Sequence, residues 1–295
     1  MKKIDLHGQP LDLNLTLTCG QAFRWRKLAS GVWRGVVRDS LVELLAEDGN
    51  LYWRTYPDAD EMLVRDYLRL TDDVKGIYSR LSQTDAHLAC LVMRFYGLRL
   101  LRQDPSETLL SFVCSAANSI PRISAAIESL SMLYGRLICE HEGSCFYSFP
   151  SIARLAQAAP MALAETASLE FRGTNLQLVA EQLRQRGEGW LMSLRRVPYE
   201  RARDELLTIR GVGRKIADCV CLFSLDKDEA VPVDTHVRQL AQRLWMPDLA
   251  GKSLTEAVYR RIAESFAQRY GKLAGWAQQF LFYEDLLRTR TAARG

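Results

Sequence analysis

The most constraining stretch of the chain is residues 206–221, Leu-Leu-Thr-Ile-Arg-Gly-Val-Gly-Arg-Lys-Ile-Ala-Asp-Cys-Val-Cys. Gly211 and Gly213 flank Val212, and glycine permits a positive φ and a close approach of the backbone. The apolar positions that follow recur at helical spacing: Ile216, Val220 and Phe223. We therefore expect a helix that begins near Gly213, with its free N–H groups facing a phosphate. Taken alone, the tripeptide is more often a tight turn between packed helices.

Lys215 falls on the first turn of this helix, where the helix dipole disfavours a cation. Cys219 lies one turn further on and shares the face of Lys215. A lysine held at this position can attack an electrophilic carbon through its amine lone pair. A lysine that reaches back to a DNA phosphate explains the position equally well.

Asp234 stands in the segment Val-Pro-Val-Asp-Thr-His and is followed by a second helical pattern. The apolar positions of that pattern are Val237, Leu240, Ala241 and Leu244. Aspartate is a favoured N-cap, so we expect Asp234 to cap this helix. A rigidly held carboxylate can also face the positive charge that develops on a sugar during glycoside cleavage. His236 is expected to hydrogen-bond backbone or phosphate.

These two segments resemble those of the helix–hairpin–helix DNA glycosylases, and more closely those of the 8-oxoguanine DNA glycosylase/lyase branch. Three further stretches support the branch: residues 100–115 with Cys114, Gly-Gln-Ala-Phe-Arg-Trp from Gly20, and Gly-Trp-Ala-Gln-Gln-Phe-Leu-Phe at 275–282. The resemblance covers about residues 11–287. It implies a mainly helical glycosylase fold that is preceded by a small antiparallel sheet domain of the TATA-binding-protein type.

The resemblance also implies how the chemistry is divided among the residues. Lys215 matches the lysine that attacks C1′ of the damaged nucleoside and forms a Schiff base, from which β-elimination nicks the strand. Asp234 matches the carboxylate that stabilises the oxocarbenium-like transition state. His236 matches a histidine near the phosphate of the lesion. The implied enzyme is a bifunctional DNA N-glycosylase and abasic-site lyase.

Base recognition is implied by a second set of residues. Phe282 and Cys219 match the two faces between which the extruded base is stacked, and Gln278 matches the glutamine that reads its Watson–Crick edge. The Gly20 carbonyl matches the acceptor for the N7–H that 8-oxoguanine has and guanine lacks. Extruding a base from a duplex costs a few kcal/mol, and stacking on an aromatic ring returns ~1–3 kcal/mol per base.

The DNA-binding residues include two departures from the family pattern. Ala117 occupies the place of an asparagine that commonly fills the hole left by the flipped base, and Asn118 is its neighbour. Phe171 replaces the usual tyrosine wedge, whereas Arg122 and Arg172 match the arginines that contact the orphaned cytosine. We therefore expect cytosine to be preferred opposite the lesion, while Ala117 and Phe171 leave the stringency of that preference open. Gly211 and Gly213 complete the expected contacts with DNA.

Composition agrees with a DNA-binding enzyme inside the cell. The 295 residues are 48% hydrophobic and carry a net charge of +4, which suits a polyanionic partner. The seven cysteines are odd in number and mostly lie in apolar runs, so reduced thiols are expected. We expect no cofactor, no metal, no membrane segment and a monomer bound to double-stranded DNA that contains oxidised guanine. The expected location is the nucleoid in a bacterial cytoplasm or the nucleus of a eukaryotic cell.

The chain divides into two predicted parts. Residues 1–104 form the domain with the antiparallel sheet, and residues 105–295 form the helical catalytic domain with its hairpin at about 206–224. Strands are predicted from alternating residues at 13–17, 23–25, 32–37 and 41–45, with turns at Ser30-Gly31 and Asp48-Gly49. Helices are predicted from Pro105, from Pro121 and over 175–186, and the chain from Asp58 onward is expected to be nearly all helical.

Two alternatives remain at this point. The first is a monofunctional glycosylase of the alkylpurine type that uses Asp234 alone, although such enzymes lack the lysine nucleophile that Lys215 would provide. The second is a non-catalytic helix–hairpin–helix module that grips duplex DNA. That module explains Gly211, Gly213 and the basic balance. It does not explain why five further residues occur together: Lys215, Asp234, Cys219, Gln278 and Phe282.

Overall fold

The computed structural model describes residues 1–116, 118–166, 169–187 and 189–292. The N-terminal part contains an antiparallel sheet with strand order β1-β5-β4-β3-β2. Its strands are β1 Lys2–Asp5, β2 Trp25–Lys27, β3 Trp33–Val37, β4 Ser40–Glu47 and β5 Asn50–Tyr56. Pairing places Trp33 beside Leu44 and Leu44 beside Trp53, so three large apolar side chains share one face of the sheet. The Asp48-Gly49 turn that joins β4 to β5 is confirmed, with both residues at positive φ.

Helices make up most of the remaining chain. They are α1 Leu13–Thr18, α2 Glu61–Tyr67, α3 Val74–Thr84, α4 Ala86–Arg94, α5 Pro105–Val113, α6 Ile120–Tyr134, α7 Ile152–Gln157, α8 Pro160–Glu165, α9 Phe171–Arg186, α10 Trp190–Ser193, α11 Tyr199–Leu207, α12 Arg214–Ser224, α13 Thr235–Leu244, α14 Glu256–Tyr270 and α15 Ala274–Ala292. A two-stranded hairpin, β6 Leu137–His141 with β7 Ser144–Tyr147, interrupts the helices after α6. The mainly helical class with an N-terminal antiparallel sheet is therefore confirmed.

Aspartate side chains determine where many of these helices begin. Each accepts a backbone N–H of the first turn at its own N-cap position: Asp12, Asp60, Asp73, Asp85, Asp104 and Asp234. Such a cap satisfies an amide that the helix itself leaves unbonded, and it contributes about 1 kcal/mol. The helix predicted to start at Pro105 is confirmed, with Pro105 as its first residue after the Asp104 cap.

The described residues form two large hydrophobic cores, besides a small cluster of Val36, Leu41 and Phe146. The smaller joins the inner face of the sheet to α1 and α2 through residues such as Trp53, Leu17 and Leu63. The larger includes the buried residues of α3 and α4 together with those of the later helices. The boundary proposed at residue 105 thus coincides with the start of α5, while the two helices before it share the core of the helical part.

Three sequence predictions were wrong in detail. Residues 13–18 form the helix α1 and not a strand, because Asp12 caps them and their alternation of leucines is too short to discriminate. The helical region contains the β6–β7 hairpin, which turns at Glu142-Gly143. Helix α9 starts at Phe171, four residues before the predicted start, directly after Glu170 at φ 53°.

Within the described ranges, none of the helices is both long enough and apolar enough to cross a membrane.

Candidate active site between the hairpin and the C-terminal helix

The turn between α11 and α12 is held by the side chains of α9. Gly211 adopts φ +97°, and its carbonyl accepts a hydrogen bond from Asn175 Nδ2 at 3.3 Å. Gln182 binds the backbone of Arg210 twice, through its amide nitrogen at 3.0 Å and its amide oxygen at 2.9 Å. A side chain on Gly211 would clash with Asn175. Glycine is therefore required at this turn both by conformation and by space.

Gly213 serves a different purpose from Gly211. It is the N-cap of α12 with an ordinary extended backbone at φ −89°. Among the described residues, no atom lies within 4 Å of the place where its Cβ would stand, and no side chain caps the helix. The predicted start of the helix near Gly213 is confirmed. Its uncapped N-terminus opens onto unobstructed space, which suits the approach of an anion.

Lys215 lies on the first turn of α12 and points towards the C-terminal end of α5. Its Nζ donates to Ser115 Oγ at 3.0 Å and lies 4.7 Å from the centre of the Phe112 ring. Ser115 in turn donates its hydroxyl hydrogen to the Phe112 carbonyl at 2.6 Å. The amine of a half-buried lysine is thereby held in one place by a hydroxyl and an aromatic face.

Asp234 caps α13 as predicted. Its Oδ1 accepts the Val237 N–H at 2.9 Å, a bond that uses one of the two carboxylate oxygens. The side chain is half-buried. Because the cap bond fixes the carboxylate against the helix, the negative charge occupies a defined position at the start of α13.

Cys219 is buried and follows Lys215 by one turn of α12. Burial raises the pKa of its thiol to about 12, the Lys215 charge lowers that pKa, and the charges of Asp218 and Asp234 raise it. The thiol stays neutral near pH 7 and presents a soft, weakly polar surface.

The Gly20 loop lies against the C-terminal helix α15. Gly20 has φ +85°, and a Cβ there would stand 3.3 Å from the Phe282 ring and 3.3 Å from Ile120. One residue earlier, the Cys19 carbonyl accepts a hydrogen bond from the buried Gln279 Nε2 at 2.9 Å. Phe282 and Gln279 both belong to α15 and Ile120 begins α6, so these two helices together position the loop backbone.

Gln278 carries an unused acceptor. The residue is 4% exposed, and its Oε1 is buried without a hydrogen-bond partner in the described part of the chain. A buried unsatisfied amide oxygen costs about 1–3 kcal/mol, so such groups are rare in folded proteins. The oxygen is therefore available to an N–H donor of a ligand. Phe282, four residues later on α15, is half-buried beside it.

His236 is oriented by a buried carboxylate that the sequence did not reveal. Its Nδ1 lies 3.0 Å from Asp285 Oδ2, and Arg243 donates to the other oxygen of Asp285 at 3.1 Å. When Asp285 is ionised, Nδ1 of His236 donates to it, so Nε2 is the ring nitrogen that remains for another contact. The His236 ring stands edge-on to Phe282 at 6.0 Å between centroids.

The four residues expected to contact the opposite strand lie in two different settings. Arg122 is exposed near the start of α6, and Phe171 is 62% exposed at the start of α9. Arg172 is 8% exposed and donates through Nε to the Ala116 carbonyl at 2.5 Å. Asn118 is half-buried and donates to the Cys114 carbonyl at 3.3 Å.

One position in this part of the site, Ala117, which departs from the family asparagine, lies outside the described residues. Arg172 stacks over the Phe171 ring at 4.6 Å and also supports the backbone at Ala116. Its guanidinium therefore serves the structure of this edge as well as any partner that binds there.

Sequence reasoning missed the residues that support the site. Ser115, Asp285 and Gln279 each lie far along the chain from the group that they contact, so no local spacing indicates them. The described residues include no group of three histidine, cysteine or acidic side chains arranged to hold a metal ion.

Comparison with known proteins identifies close relatives. Residues 3–109 match the family model described as the N-terminal domain of 8-oxoguanine DNA glycosylase. The N-glycosylase/DNA lyase OGG1 of Arabidopsis thaliana is 36% identical over 95% of this chain and 79% of its own length. A Clostridium acetobutylicum 8-oxoguanine glycosylase/lyase, bound to double-stranded DNA with cytosine opposite 8-oxoguanine, has TM-score 0.85 and 29% identity, and the match covers 95% of this chain and 93% of that one. MBOgg1 with a low-affinity DNA ligand has TM-score 0.85 and 30% identity, with coverages of 96% and 94%.

Proposed function

This chain belongs to the 8-oxoguanine DNA N-glycosylase/DNA lyase family, and from that premise we propose which of its residues remove 8-oxoguanine from duplex DNA and cleave the strand. The protein is a bifunctional DNA glycosylase and lyase. The observation that carries the proposal is that two consecutive helices each hold one of the needed groups in a fixed position: Ser115 holds the Lys215 amine on α12, and the Val237 N–H holds the Asp234 carboxylate at the start of α13. An amine nucleophile and a fixed carboxylate suit the breaking of a glycosidic bond.

Lys215 is the proposed nucleophile. The unprotonated amine forms a bond to C1′ while the C1′–N9 bond breaks and its electron pair leaves with the base. A proton passes from nitrogen to O4′ as the C1′–O4′ bond breaks, which opens the sugar and leaves a protonated Schiff base at C1′. A proton then leaves C2′, the C3′–O bond breaks, and the phosphate departs on the 3′ side of the lesion. Ser115 holds the amine in place before the attack.

Asp234 is the proposed stabiliser of the developing charge. As the base leaves, C1′ and the ring oxygen acquire positive charge, and a fixed carboxylate lowers the energy of that state. The bond from Asp234 to the Val237 N–H keeps the carboxylate from turning away. Its role as a cap and its role in catalysis thus depend on the same geometry.

The Gly20 loop and α15 are proposed to select the base. The flipped base would stack between Phe282 and the neutral Cys219 thiol. The unused Gln278 Oε1 would accept from the N1–H and N2–H edge of a guanine ring. The Gly20 carbonyl would accept the N7–H of 8-oxoguanine and repel the N7 lone pair of guanine. Attraction and repulsion at one atom together give specificity.

The duplex itself is proposed to be held at two edges. The uncapped N-terminus of α12 at Gly213, the Gly211 turn and His236 would bind phosphates near the lesion. Arg122, Arg172, Phe171 and Asn118 would face the orphaned base, with cytosine preferred. We propose that the enzyme works as a monomer at the DNA of its cell, the nucleoid or the nucleus.

Borohydride trapping tests the proposal. Wild type and Lys215→Gln are incubated with a duplex carrying one 8-oxoguanine opposite cytosine, and Lys272→Gln controls for loss of an exposed lysine paired with Glu229. We expect a covalent adduct with wild type and Lys272→Gln, and a loss of about 10³-fold or more with Lys215→Gln. An undamaged duplex gives no adduct.

Two outcomes contradict the proposal in different ways. Base release without a trapped adduct in wild type means that Asp234 works with water and that Lys215 is not the nucleophile. Binding of the duplex with neither release nor adduct leaves a module that grips DNA without acting on it.

A further inference from the structure

Helix α12, which carries Lys215, also carries a buried carboxylate that the proposed chemistry does not use. Asp218 follows Lys215 by three positions in α12 and is 1% exposed. Tyr199 donates its hydroxyl to Asp218 Oδ1 at 2.7 Å, and Tyr259 donates to Oδ2 at 2.6 Å. The two tyrosines come from α11 and α14, so the carboxylate joins three helices.

The Tyr259 hydroxyl extends this connection to the segment that carries Asp234. It accepts the backbone N–H of Val233 at 3.1 Å, and Val233 directly precedes Asp234. The Val231 carbonyl lies 3.3 Å from the same hydroxyl, but the single hydroxyl hydrogen is directed to the nearer carboxylate. A continuous series of hydrogen bonds therefore connects α12, through Asp218 and Tyr259, to the backbone beside Asp234.

The buried carboxylate is costly to keep. Burial raises the pKa of Asp218 to about 6, and the hydrogen bonds from Tyr259 and Tyr199 lower it again. An apolar side chain of similar size would join the same helices without a charge to desolvate. What the carboxylate adds is direction, because hydrogen bonds fix angles and distances that apolar packing leaves adjustable.

We propose that Asp218 and Tyr259 are positioning residues that set the separation between the Lys215 amine and the Asp234 carboxylate. The inference rests on the proposed roles of those two groups. Asp218 acts on Lys215 through one turn of α12, and Tyr259 acts on Asp234 through the Val233 amide. The polar atoms of both side chains are already used within the protein, because Asp218 accepts from Tyr199 and Tyr259 and the Tyr259 hydroxyl also accepts the Val233 N–H.

Two substrates respond differently to a change in that separation. Removal of 8-oxoguanine needs amine and carboxylate together, since C1′ becomes electrophilic only as the base departs. In a duplex with a preformed abasic site, C1′ is already at the aldehyde level, as a hemiacetal in equilibrium with the open aldehyde, and a correctly bound amine condenses with that aldehyde and releases water. A loosened connection should therefore slow base excision more than incision at the abasic site.

Tyr259→Phe tests the inference, because it removes the bridging hydroxyl and keeps the ring. The matched control is Tyr270→Phe on the same helix, where the lost hydroxyl donates to Asp85 Oδ2 at 2.8 Å in a similarly buried setting. Single-turnover rates are measured on both duplexes and normalised to active enzyme by borohydride trapping. For Tyr259→Phe we expect a loss of about 10- to 100-fold on 8-oxoguanine and less than about 3-fold on the abasic duplex.

Three further variants keep the test decisive. Tyr199→Phe leaves the Tyr259 bridge in place, so it should show a weaker form of the same difference. Asp218→Asn retains an oxygen that accepts from one tyrosine and should restore more base excision than Asp218→Leu, even if Tyr259→Phe fails to fold.

The outcomes separate this inference from the proposed function. Equal losses on both duplexes, wild-type excision by Tyr259→Phe, or the same difference in Tyr270→Phe would overturn the positioning role while wild type still forms its adduct. Failure of wild type to form any adduct would instead remove the proposed role of Lys215.

Discussion

The chemical half and the recognition half of the site are constructed in different ways. Lys215 and Asp234 come from one short segment, two consecutive helices and the loop between them. Gly20 and Phe282 come from opposite ends of the chain, and in the folded protein the Gly20 backbone packs against the Phe282 ring. The first half is a local structure, and the second exists only after the two ends of the chain have come together.

This difference implies two kinds of defect. Damage to the chemical half should leave the lesion bound and unreacted, because binding depends on groups elsewhere. Damage to the recognition half should lower the affinity for 8-oxoguanine relative to guanine. Measuring the dissociation constant and the single-turnover rate of each variant therefore assigns it to one half or shows that the division is wrong.

Asp234→Asn gives the largest expected effect and sharpens the division. Asparagine is an equally good N-cap, so α13 should keep its start and the protein its stability. The loss of negative charge should slow base excision by about 10²- to 10³-fold, with the dissociation constant for the lesion unchanged. Asp60→Asn, at the cap of α2 where Oδ1 accepts the Leu63 N–H at 2.8 Å, is the matched control. A variant that excises at the wild-type rate would remove Asp234 from the chemistry.

Gly20→Ala tests the other half. The added methyl group lies 3.3 Å from the Phe282 ring and from Ile120 at a residue with positive φ, which strains the loop and crowds both side chains. Since misplacing a contact by about 1 Å can cost about 10²-fold, we expect the preference for 8-oxoguanine over guanine to fall by up to about that factor. Gly31→Ala is the control, since Gly31 has φ +86° and no described atom lies within 4 Å of its Cβ position. Unchanged preference in Gly20→Ala would show that the loop does not read the base.

Phe282→Ala should have a smaller effect on recognition. Removing the ring removes one stacking face, which is worth ~1–3 kcal/mol per base. We expect the dissociation constant for the 8-oxoguanine duplex to rise by roughly 5- to 100-fold. A duplex with an abasic site has no base to stack, so its affinity should be nearly unchanged. Equal weakening on the two duplexes would mean that Phe282 supports the fold of α15 and not the base.

The same contrast explains what the sequence could predict. The start of α12 and the Asp234 cap follow from neighbouring residues, and both are confirmed. The Ser115 contact to Lys215 and the Asp285 contact to His236 join residues far apart, and no local pattern contains them. Physical proximity in these cases is a product of core packing, which a single sequence does not display.

The errors in secondary structure have a related cause. Helix α1 spans six residues, fewer than two turns, so its period is barely sampled and its leucines match a strand equally well. The Glu142-Gly143 turn is a usable signal for the missed hairpin, but its strands alternate weakly. The start of α9 follows Glu170 without a side-chain cap, which removes the usual marker.

Phe171→Ala should give the smallest effect and tests whether a third part of the site is independent of both halves. The ring is 62% exposed and faces the proposed position of the orphaned base, which is present with 8-oxoguanine and with an abasic site alike. We therefore expect both duplexes to bind more weakly by a similar factor of about 3- to 10-fold, with excision from bound DNA unchanged. Phe171→Tyr restores the ring and should bind as wild type does. If Phe171→Ala weakened the 8-oxoguanine duplex alone, the wedge would belong to base recognition, and the separation between recognising the lesion and holding the opposite strand would be lost.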